Sequence, residues 1–335
     1  MPGHFPLTRG QRGEAIRDLQ RRLGAAGFDP VGAEPGVFCV VTSDMVTSFQ
    51  TQRGVLVSGA CDEPTWLALI EAGWSLGDRL LMLNAPMLRG DDVADLQRSL
   101  NHVGFDCGRP DGIFGPSASR AVIDFQRNSG LTADGICGAQ TVRTLRLVSE
   151  KSGTGPGVAS IREAETRSGP SSIGGLRLVV GQFGGLSSIT RTVARSLRER
   201  GATVMSTDEY EAAAQAAAAN RFGANAYVGF DAHPAPRSII SYFAVPSFES
   251  IGGRVLASHI VDELDDVLEA RPELAGMRLP VLRETRMPAV LCSVGPVRSV
   301  VDRTNRLSEA VTRAVAAWSQ APMNATGAVS RPHID

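Results

Sequence analysis

The feature that most constrains this chain is an internal repeat in its first 148 residues. Residues 12–28 reappear 77 positions later as residues 89–105, and after the loss of one residue the match continues at a spacing of 76. The later matches include aromatic, amide and thiol positions: Phe38 with Phe114, Phe49-Gln50 with Phe125-Gln126, and Cys61 with Cys137. Agreement at one spacing over so many positions indicates a duplication, so the first half contains two small units of the same design.

Each copy of the repeat reads as three short helices. In the second copy, apolar residues fall on one helical face: Val93, Leu96, Leu100 and Val103. The turn signals Asp111-Gly112 and Asp134-Gly135 separate this helix from two more, predicted over residues 116–127 and 138–148. We therefore expect two small all-α three-helix bundles, over residues 8–76 and 85–148.

The second half of the chain has a different pattern. Residues 149–175 are small and polar, which predicts a linker with one short helix over residues 158–167. Apolar runs and helical patterns then alternate over residues 176–320, and this predicts an α/β domain with a largely parallel sheet flanked by helices. Strands are predicted over 176–180, 203–205, 226–230, 239–245, 278–283 and 289–293, and helices over 188–200, 209–222, 252–269 and 300–318. We expect a disordered tail over residues 321–335.

Composition narrows the classes of function. The chain has 335 residues, which is enough for about two or three domains. It carries 34 Lys and Arg against 35 Asp and Glu without a basic block, which argues against nucleic acid as the main partner. No run approaches the roughly 20 apolar residues of a transmembrane helix. The five cysteines are scattered without a CxxC pair, which argues against disulfides and against a thiolate zinc site.

The second repeat resembles the peptidoglycan-binding domain 1 family almost throughout residues 90–145. Its text follows the pattern G-x-x-V-x-x-L-Q, D-G-x-F-G, A-V-x-x-F-Q and D-G-x-x-G-x-x-T. The first copy is eroded, with Pro35-Gly36-Val37-Phe38-Cys39 in place of D-G-x-F-G. The resemblance implies a shallow groove for cell-wall glycan and stem peptide. Its candidate ligand residues here are Asp111, Gly112 and Gln126, while the phenylalanines of the pattern build the core.

The second half is similar to the zinc-dependent N-acetylmuramoyl-L-alanine amidases of the amidase-3 type. Residues 223–230 resemble the family text G-A-D-L-F-I-S-I, and residues 287–291 read M-P-A-V-L as in the family. Gly184-Gly185 stands at the end of the family's D-P-G-H-G-G. The resemblance implies a Zn²⁺ ion held by two histidines and a glutamate, with a further glutamate that moves protons.

Every residue that this chemistry needs is replaced. Phe183 stands where the family has its first histidine, and Asp231 stands where it has the second. The loop that bears the ligand glutamate is almost absent after Gly185, and Ser293 stands where the catalytic glutamate belongs. We therefore predict no metal, no other cofactor and no catalytic residue, and we regard Phe183, Asp231 and Ser293 as vestigial positions.

Two alternatives for the chemistry stay open in the sequence. Asp231, His233 and one further group could form a rebuilt metal site, because residues two apart in an extended strand face the same side. Cys292 could act as a nucleophile, but its motif contains no neighbouring base, and a buried cysteine in a strand explains it more simply.

The order of domains resembles the actinobacterial CwlM group, as does the linker text IREAETRSGP. This resemblance implies a non-catalytic amidase homologue that regulates peptidoglycan biosynthesis. Its expected partners are peptidoglycan fragments or precursors, or a protein of that pathway. The start of the chain lacks an apolar signal region, so we expect a cytoplasmic protein that associates with the membrane or with the machinery of wall synthesis. Two alternatives are an active amidase with an altered site and a wall-associated binding module that is exported without a recognisable signal.

Overall fold

The computed structural model describes residues 5–151, 172–233, 235–245 and 248–320. The chain divides into two compact units, one built mainly from residues 1–161 and the other mainly from residues 162–335. The predicted linker helix over residues 158–167 and the predicted tail over residues 321–335 lie outside the described residues. Among the helices that are described, none is both long enough and apolar enough to cross a membrane.

The N-terminal unit contains the two predicted three-helix repeats. The helices of the first repeat are α1 (Glu14–Ala25), α2 (Val40–Arg53) and α3 (Glu63–Ala72), and those of the second are α4 (Asp91–His102), α5 (Pro116–Asn128) and α6 (Ala139–Lys151). Each repeat has its own apolar core. An edge-to-face aromatic pair stands at the same place in both, Phe28 with Phe49 and Phe105 with Phe125, with ring centroids 5.7 and 5.5 Å apart.

The C-terminal unit is an α/β domain built on a seven-stranded sheet. Its strands are β1 (Arg177–Gln182), β2 (Thr203–Thr207), β3 (Ala226–Ala232), β4 (Ile239–Val245), β5 (Phe248–Glu249), β6 (Glu273–Met277) and β7 (Ala289–Val294). Its helices are α7 (Ser187–Glu199), α8 (Ala212–Phe222), α9 (Ile251–Asp265), α10 (Pro280–Glu284), α11 (Val297–Asp302) and α12 (Thr304–Gln320). The strand order is β2-β1-β3-β7-β4-β5, with β6 beside β4.

Helices cover both faces of the central strands. Strands β1, β3 and β7 are parallel neighbours, and almost every residue along them is buried. One face of the sheet packs against apolar residues of α7, α9 and α12, where the indole N–H of Trp318 donates to the Gly252 carbonyl at 3.2 Å. The burial of both faces explains why these strands read as continuous apolar runs rather than as alternating patterns.

The structure corrects two details of the predicted elements and adds the direction of one strand. The strand predicted over residues 278–283 is wrong, because Pro280 begins the short helix α10 and proline is favoured at the first helical position. The helix predicted over residues 300–318 is two helices, α11 and α12, which are separated at Arg303. Strand β4 runs antiparallel to β7, so the sheet is mixed, with β1, β2, β3 and β7 as its parallel part.

Candidate functional site

The sheet brings Phe183, Asp231 and Ser293, the three positions predicted to be vestigial, together at the carboxyl ends of its central strands. Asp231 of β3 pairs in register with Ser293 of β7. Phe183 directly follows the last pair between β1 and β3, and its N–H donates to the Phe230 carbonyl at 2.8 Å. The three residues therefore lie side by side on neighbouring parallel strands. Open α/β sheets bind ligands at the carboxyl ends of their strands, at the point where the connections from neighbouring strands leave in opposite directions. The ends of β1 and β3 form such a point here, and we call this place the sheet edge.

The side chains at this edge do not form a zinc site. A phenyl ring has no donor atom, and one carboxylate with one hydroxyl falls short of the three protein ligands that a catalytic zinc requires. Across the described parts of the chain, no group of three or more His, Cys, Asp or Glu side chains could hold a metal ion. The residues present at Phe183, Asp231 and Ser293 thus do not fit the metal that the amidase resemblance implies.

His233 takes part in its own turn. Its backbone N–H donates to the Val294 carbonyl at 2.8 Å, and its Nδ1 lies 3.1 Å from the backbone nitrogen of Ala235. With Nδ1 held by this turn, the structure supplies no third ligand to complete a site from Asp231 and His233 within the described residues. The rebuilt site considered from the sequence has no geometric support here.

Asp231 is half-buried at the carboxyl ends of the central strands. Burial raises the pKa of its carboxyl above the ordinary value. Two smaller effects oppose this rise, a hydrogen bond from the Ala232 N–H to Oδ1 at 2.8 Å and the nearby charge of His233. Asp231 is therefore a titratable group at the sheet edge, without the partners that a ligand or a general base would have.

A glutamine that the sequence reading passed over closes the loop after β1. The Gln182 side-chain oxygen accepts hydrogen bonds from the N–H groups of Gly185 at 3.1 Å and Leu186 at 2.9 Å. Gly184 and Gly185 have φ values of +75° and +86°, which glycine adopts without strain. The chain therefore turns at once into α7 and has no loop to carry a ligand glutamate. The only sequence signal for this role was an amide residue three positions before a glycine.

A buried polar network occupies the sheet face that Asp231 also faces. The Tyr227 hydroxyl donates to Gln215 Oε1 at 2.7 Å. Gln215 Nε2 donates to the carbonyls of Gln182 at 2.9 Å and Glu209 at 2.6 Å. Burial raises the pKa of the Tyr227 hydroxyl, so it stays protonated as the donor. The network connects β1, β3 and α8 through groups that are already satisfied.

Cys292 lies in the interior of the sheet. It is fully buried, and burial raises the pKa of its thiol to about 12. A thiol with this pKa carries almost no thiolate at neutral pH, and the thiolate is the nucleophilic form. The structure thus favours a packing role for Cys292 over a role as a nucleophile.

In the second repeat, Asp111 and Gly112 form the turn between α4 and α5. The Gly112 N–H donates to Gln97 Oε1 at 2.8 Å. Gln97 Nε2 donates to Asp111 Oδ1, which also accepts from the Ile113 N–H, both at 2.8 Å. Gly112 is buried with a φ of +72°, while the Asp111 side chain is half-buried and reaches the surface. Of the two, Asp111 is the residue that can meet a ligand.

Gln126 lies inside the second repeat rather than on a groove surface. Only 2% of it is exposed, and its Oε1 accepts from the Gly135 N–H at 2.9 Å. Its Nε2 donates to Asp134 Oδ1 at 2.9 Å and to the Ile136 carbonyl at 3.0 Å. Gln126 therefore fixes the second turn of the repeat, and its amide is not available to a bound glycan or peptide.

The first repeat keeps these amide contacts but loses the carboxylates. Gln20 Oε1 accepts from Gly36, and Gln50 Oε1 accepts from Gly59, at 2.8 and 3.0 Å. Pro35 and Ser58 occupy the positions of Asp111 and Asp134. Only the second repeat thus carries a carboxylate at each turn, and the Asp134 pKa is lowered by hydrogen bonds from the Ile136 N–H and the Gln126 side chain.

Comparison with known proteins gives matches in both halves of the chain. The family described as "Putative peptidoglycan binding domain" matches residues 12–69 and 89–145. The N-acetylmuramoyl-L-alanine amidase CwlM of Mycobacterium tuberculosis is 31% identical over 353 aligned positions, which cover 92% of this chain and 86% of that protein. The N-acetylmuramoyl-L-alanine amidase CwlL of Bacillus licheniformis is 30% identical over 163 positions, which cover 42% of this chain and 45% of that protein.

Solved amidase structures align with part of the chain. The amidase Ami1 of Mycobacterium smegmatis aligns with a TM-score of 0.39 at 15% identity and covers 44% of this chain and 98% of its own. An N-acetylmuramoyl-L-alanine amidase of Clostridium difficile 630 aligns with a TM-score of 0.37 at 15% identity and covers 43% of this chain and 97% of its own.

Proposed function

The chain belongs to the family of the N-acetylmuramoyl-L-alanine amidase CwlM, and from this membership we propose that it is a non-catalytic member that regulates peptidoglycan synthesis. In this proposal it binds peptidoglycan fragments or precursors, or a protein of that pathway, and it acts in the cytoplasm. The matches to both halves of the chain support an amidase-like protein with two peptidoglycan-binding repeats.

One observation carries the non-catalytic part of the proposal. The residues at the three family positions lie side by side at the sheet edge, yet they offer only a phenyl ring, one carboxylate and one hydroxyl. Loss of an outer-shell partner alone costs about 10–100-fold in metal affinity or activity. Replacement of both ligand histidines and omission of the glutamate loop therefore leave no basis for a zinc-bound nucleophile.

The binding part of the proposal depends on the second repeat. Its turns keep Asp111 and Asp134 at the surface, held by the buried amides of Gln97 and Gln126. Hydroxyl and amide groups of glycan and stem peptide are hydrogen-bond donors, and fixed carboxylates are strong acceptors for them. The first repeat lacks both carboxylates, so we assign it a structural role.

The second candidate function is an active amidase with an altered site. Asp231 favours it, because a carboxyl with a raised pKa at a family ligand position has the property that a general acid needs. In that case hydrolysis of the lactyl-amide bond would depend on Asp231.

One experiment on purified peptidoglycan tests both functions. The full chain is incubated with the polymer and zinc, and both the bound protein and any released peptide are measured. We expect binding without amide cleavage, and far less than one zinc per chain after dialysis. Asp111→Asn, which keeps the acceptor for Ile113 but removes the charge, should lower binding about three- to tenfold, equivalent to about 0.7–1.4 kcal/mol. Asp124→Asn is the matched exposed control in the same repeat.

The hydrolysis measurement can contradict the proposal directly. Cleavage by the wild-type chain that is lost in Asp231→Ala but kept in Asp302→Ala, an exposed aspartate of the same unit, would establish the second candidate function. Absence of binding by the wild-type chain would instead remove the role of the repeats.

A further inference from the structure

A cationic face lies on helix α7 of the C-terminal unit. Arg191, Arg195 and Arg198 are spaced four and three residues apart, so they share one face of the helix. All three are exposed, while the opposite face is buried through Ile189, Val193 and Leu197. Within the described residues none of the three forms an ion pair; Arg191 Nε donates to its own helix at the Ser187 carbonyl, 3.2 Å away.

Other arginines of this unit are paired with acids. Arg271 lies 2.6 Å from Asp262 and 2.5 Å from Asp265, and Arg313 lies 2.7 Å from Glu263. The chain as a whole has a net charge of −1. The unpaired face of α7 is therefore a local excess of positive charge and not a consequence of a basic protein.

An open strand edge lies next to this face. Strand β2 is the last in the sheet order, and within the described residues it pairs only with β1. The Thr203 N–H donates to the Leu176 carbonyl at 2.9 Å, so residue 203 bonds inward, and Val204 and Ser206 turn their backbone groups outward. The Arg198 guanidinium donates a hydrogen bond to the Val204 carbonyl at 2.8 Å. The Val204 N–H and both backbone groups of Ser206 remain on the open side of the strand.

Helix and strand edge together form one groove. A shallow depression of about 490 Å³ lies between them, and its lining residues are polar or cationic: Ser188, Arg191, Thr192, Arg195, Arg198 and Ser206. It thus combines unpaired positive charge with backbone groups that face solvent and are free to pair with a further extended chain.

We propose that this groove binds an acidic segment of a partner protein in extended conformation, which adds a strand to β2 and sets its carboxylates against the three arginines. Strand addition uses the main-chain groups of an open edge for affinity and alternate side chains for specificity. Alternate residues of a strand are about 6.6 Å apart, and a four-residue step along a helix is about 6 Å, so carboxylates on every second residue match Arg191 and Arg195.

The surface chemistry favours a peptide over an anionic membrane. A helix that binds a lipid surface places large apolar side chains in the headgroup region. Neither α7 nor β2 has an exposed large apolar residue, and the nearest along the chain is Tyr210, which is 91% exposed. An extended peptide also pairs both the open N–H and the open carbonyl of β2, whereas a lipid phosphate only accepts hydrogen bonds and leaves the carbonyl without a donor.

The experiment measures binding of a labelled probe peptide to the full chain by fluorescence anisotropy. The probe is a decapeptide that alternates Glu and Thr, and its counterpart alternates Lys and Thr. We expect only the Glu peptide to bind. The double variant Arg191→Glu/Arg195→Glu should weaken binding at least tenfold. Ser206→Pro, which removes the outward N–H, should weaken it about as much, whereas Arg221→Glu, at an exposed arginine of α8 outside the groove, should leave it unchanged.

Two further arms keep the test decisive even where Ser206→Pro fails to fold. A Glu–Thr peptide with N-methylated amides at alternate positions should bind at least tenfold more weakly, and equal binding would show simple charge attraction and overturn the proposal. Phosphatidylglycerol vesicles that bind the wild-type chain and Ser206→Pro equally would assign the groove to a membrane surface. Failure of the Glu peptide to bind also overturns it.

The inference rests on the proposed regulatory function only in that a regulator needs a surface for a partner. Peptidoglycan binding through Asp111 is measured separately, so the peptide test and the proposed function can fail independently of each other.

Discussion

At the scale of single residues, four glutamines decide the shape of the repeats. Gln20, Gln50, Gln97 and Gln126 each accept a glycine N–H from a turn. An amide is well suited to this task because it donates and accepts at once, so one side chain satisfies both sides of a turn. The sequence pattern F-Q shows only that Gln126 is a polar residue on a predicted helix. Gln126 is buried because the turn at Gly135 folds back over its side chain.

The raised pKa of Asp231 predicts how stability depends on pH. The folded state holds this proton more tightly than the unfolded chain, whose ordinary value is 3.8, so Asp231 lowers stability as pH rises through and above that value. Asp231→Asn removes this penalty and keeps an acceptor for the Ala232 N–H. We expect it to be more stable than the wild-type chain at pH 7, with a difference that shrinks as the pH falls to about 4.

The stability of Asp231→Asn is measured by urea denaturation at each pH. Hydrogen exchange in peptides from residues 176–320 serves as the probe of unfolding. Asp302→Asn is the control, because Asp302 is exposed in the same unit. A gain of stability that is the same at pH 4 and pH 7 would contradict burial as the cause.

At the scale of elements, glycines in the central strands let the polar network fit against the sheet. A Cβ atom on Gly181 would overlap with Gln215 Oε1 and the Tyr227 hydroxyl, and one on Gly229 would lie 2.9 Å from the same hydroxyl. Both strands therefore need glycine where the tyrosine ring lies. The sequence shows these glycines inside apolar runs, but it does not show which side chain occupies the space.

Gly181→Ala tests this packing. The added methyl forces Tyr227 and Gln215 to move, so we expect a loss of about 1–3 kcal/mol in the free energy of unfolding. Gly174→Ala is the matched control, because a Cβ there would lie an ordinary 3.6 Å from the Arg200 carbonyl oxygen. The measurement is the urea midpoint of both variants, and equal midpoints would show that the network does not constrain β1.

At the scale of the whole molecule, the described residues form three separate apolar cores. One belongs to each repeat, and the third lies in the C-terminal unit. Because packing energy depends on contacts within a core, a cavity in one core should leave the others intact. This independence is consistent with a first repeat whose turns have eroded while its core residues remain.

Phe125→Ala tests the independence of the cores. Phe125 is fully buried in the second repeat, and its truncation should cost about 3–5 kcal/mol. We expect hydrogen exchange to rise in residues 85–148 and to stay unchanged in residues 176–320. Leu147→Ala, at a side chain that is 59% exposed, should change neither region. Loss of protection throughout the chain would show that the cores unfold as one.

The sequence by itself determined the duplication and the helices of the repeats, and it supplied the prediction that Phe183, Asp231 and Ser293 stand at amidase ligand and catalytic positions. Helical periodicity is local, since hydrogen bonds join residues four apart. Local apolar runs are less informative, which is why the segment over residues 278–283 reads as a strand although Pro280 begins a helix there.

Only the tertiary structure decided which distant residues meet and which polar groups are buried. Phe183, Asp231 and Ser293 are spread over 110 positions of the chain, and parallel register is what places them in one row. The direction of β4, the burial of Gln126 and the pairing of α7 with the open edge of β2 arise in the same way. Strand order and burial depend on contacts between segments far apart in sequence, and no local pattern encodes them.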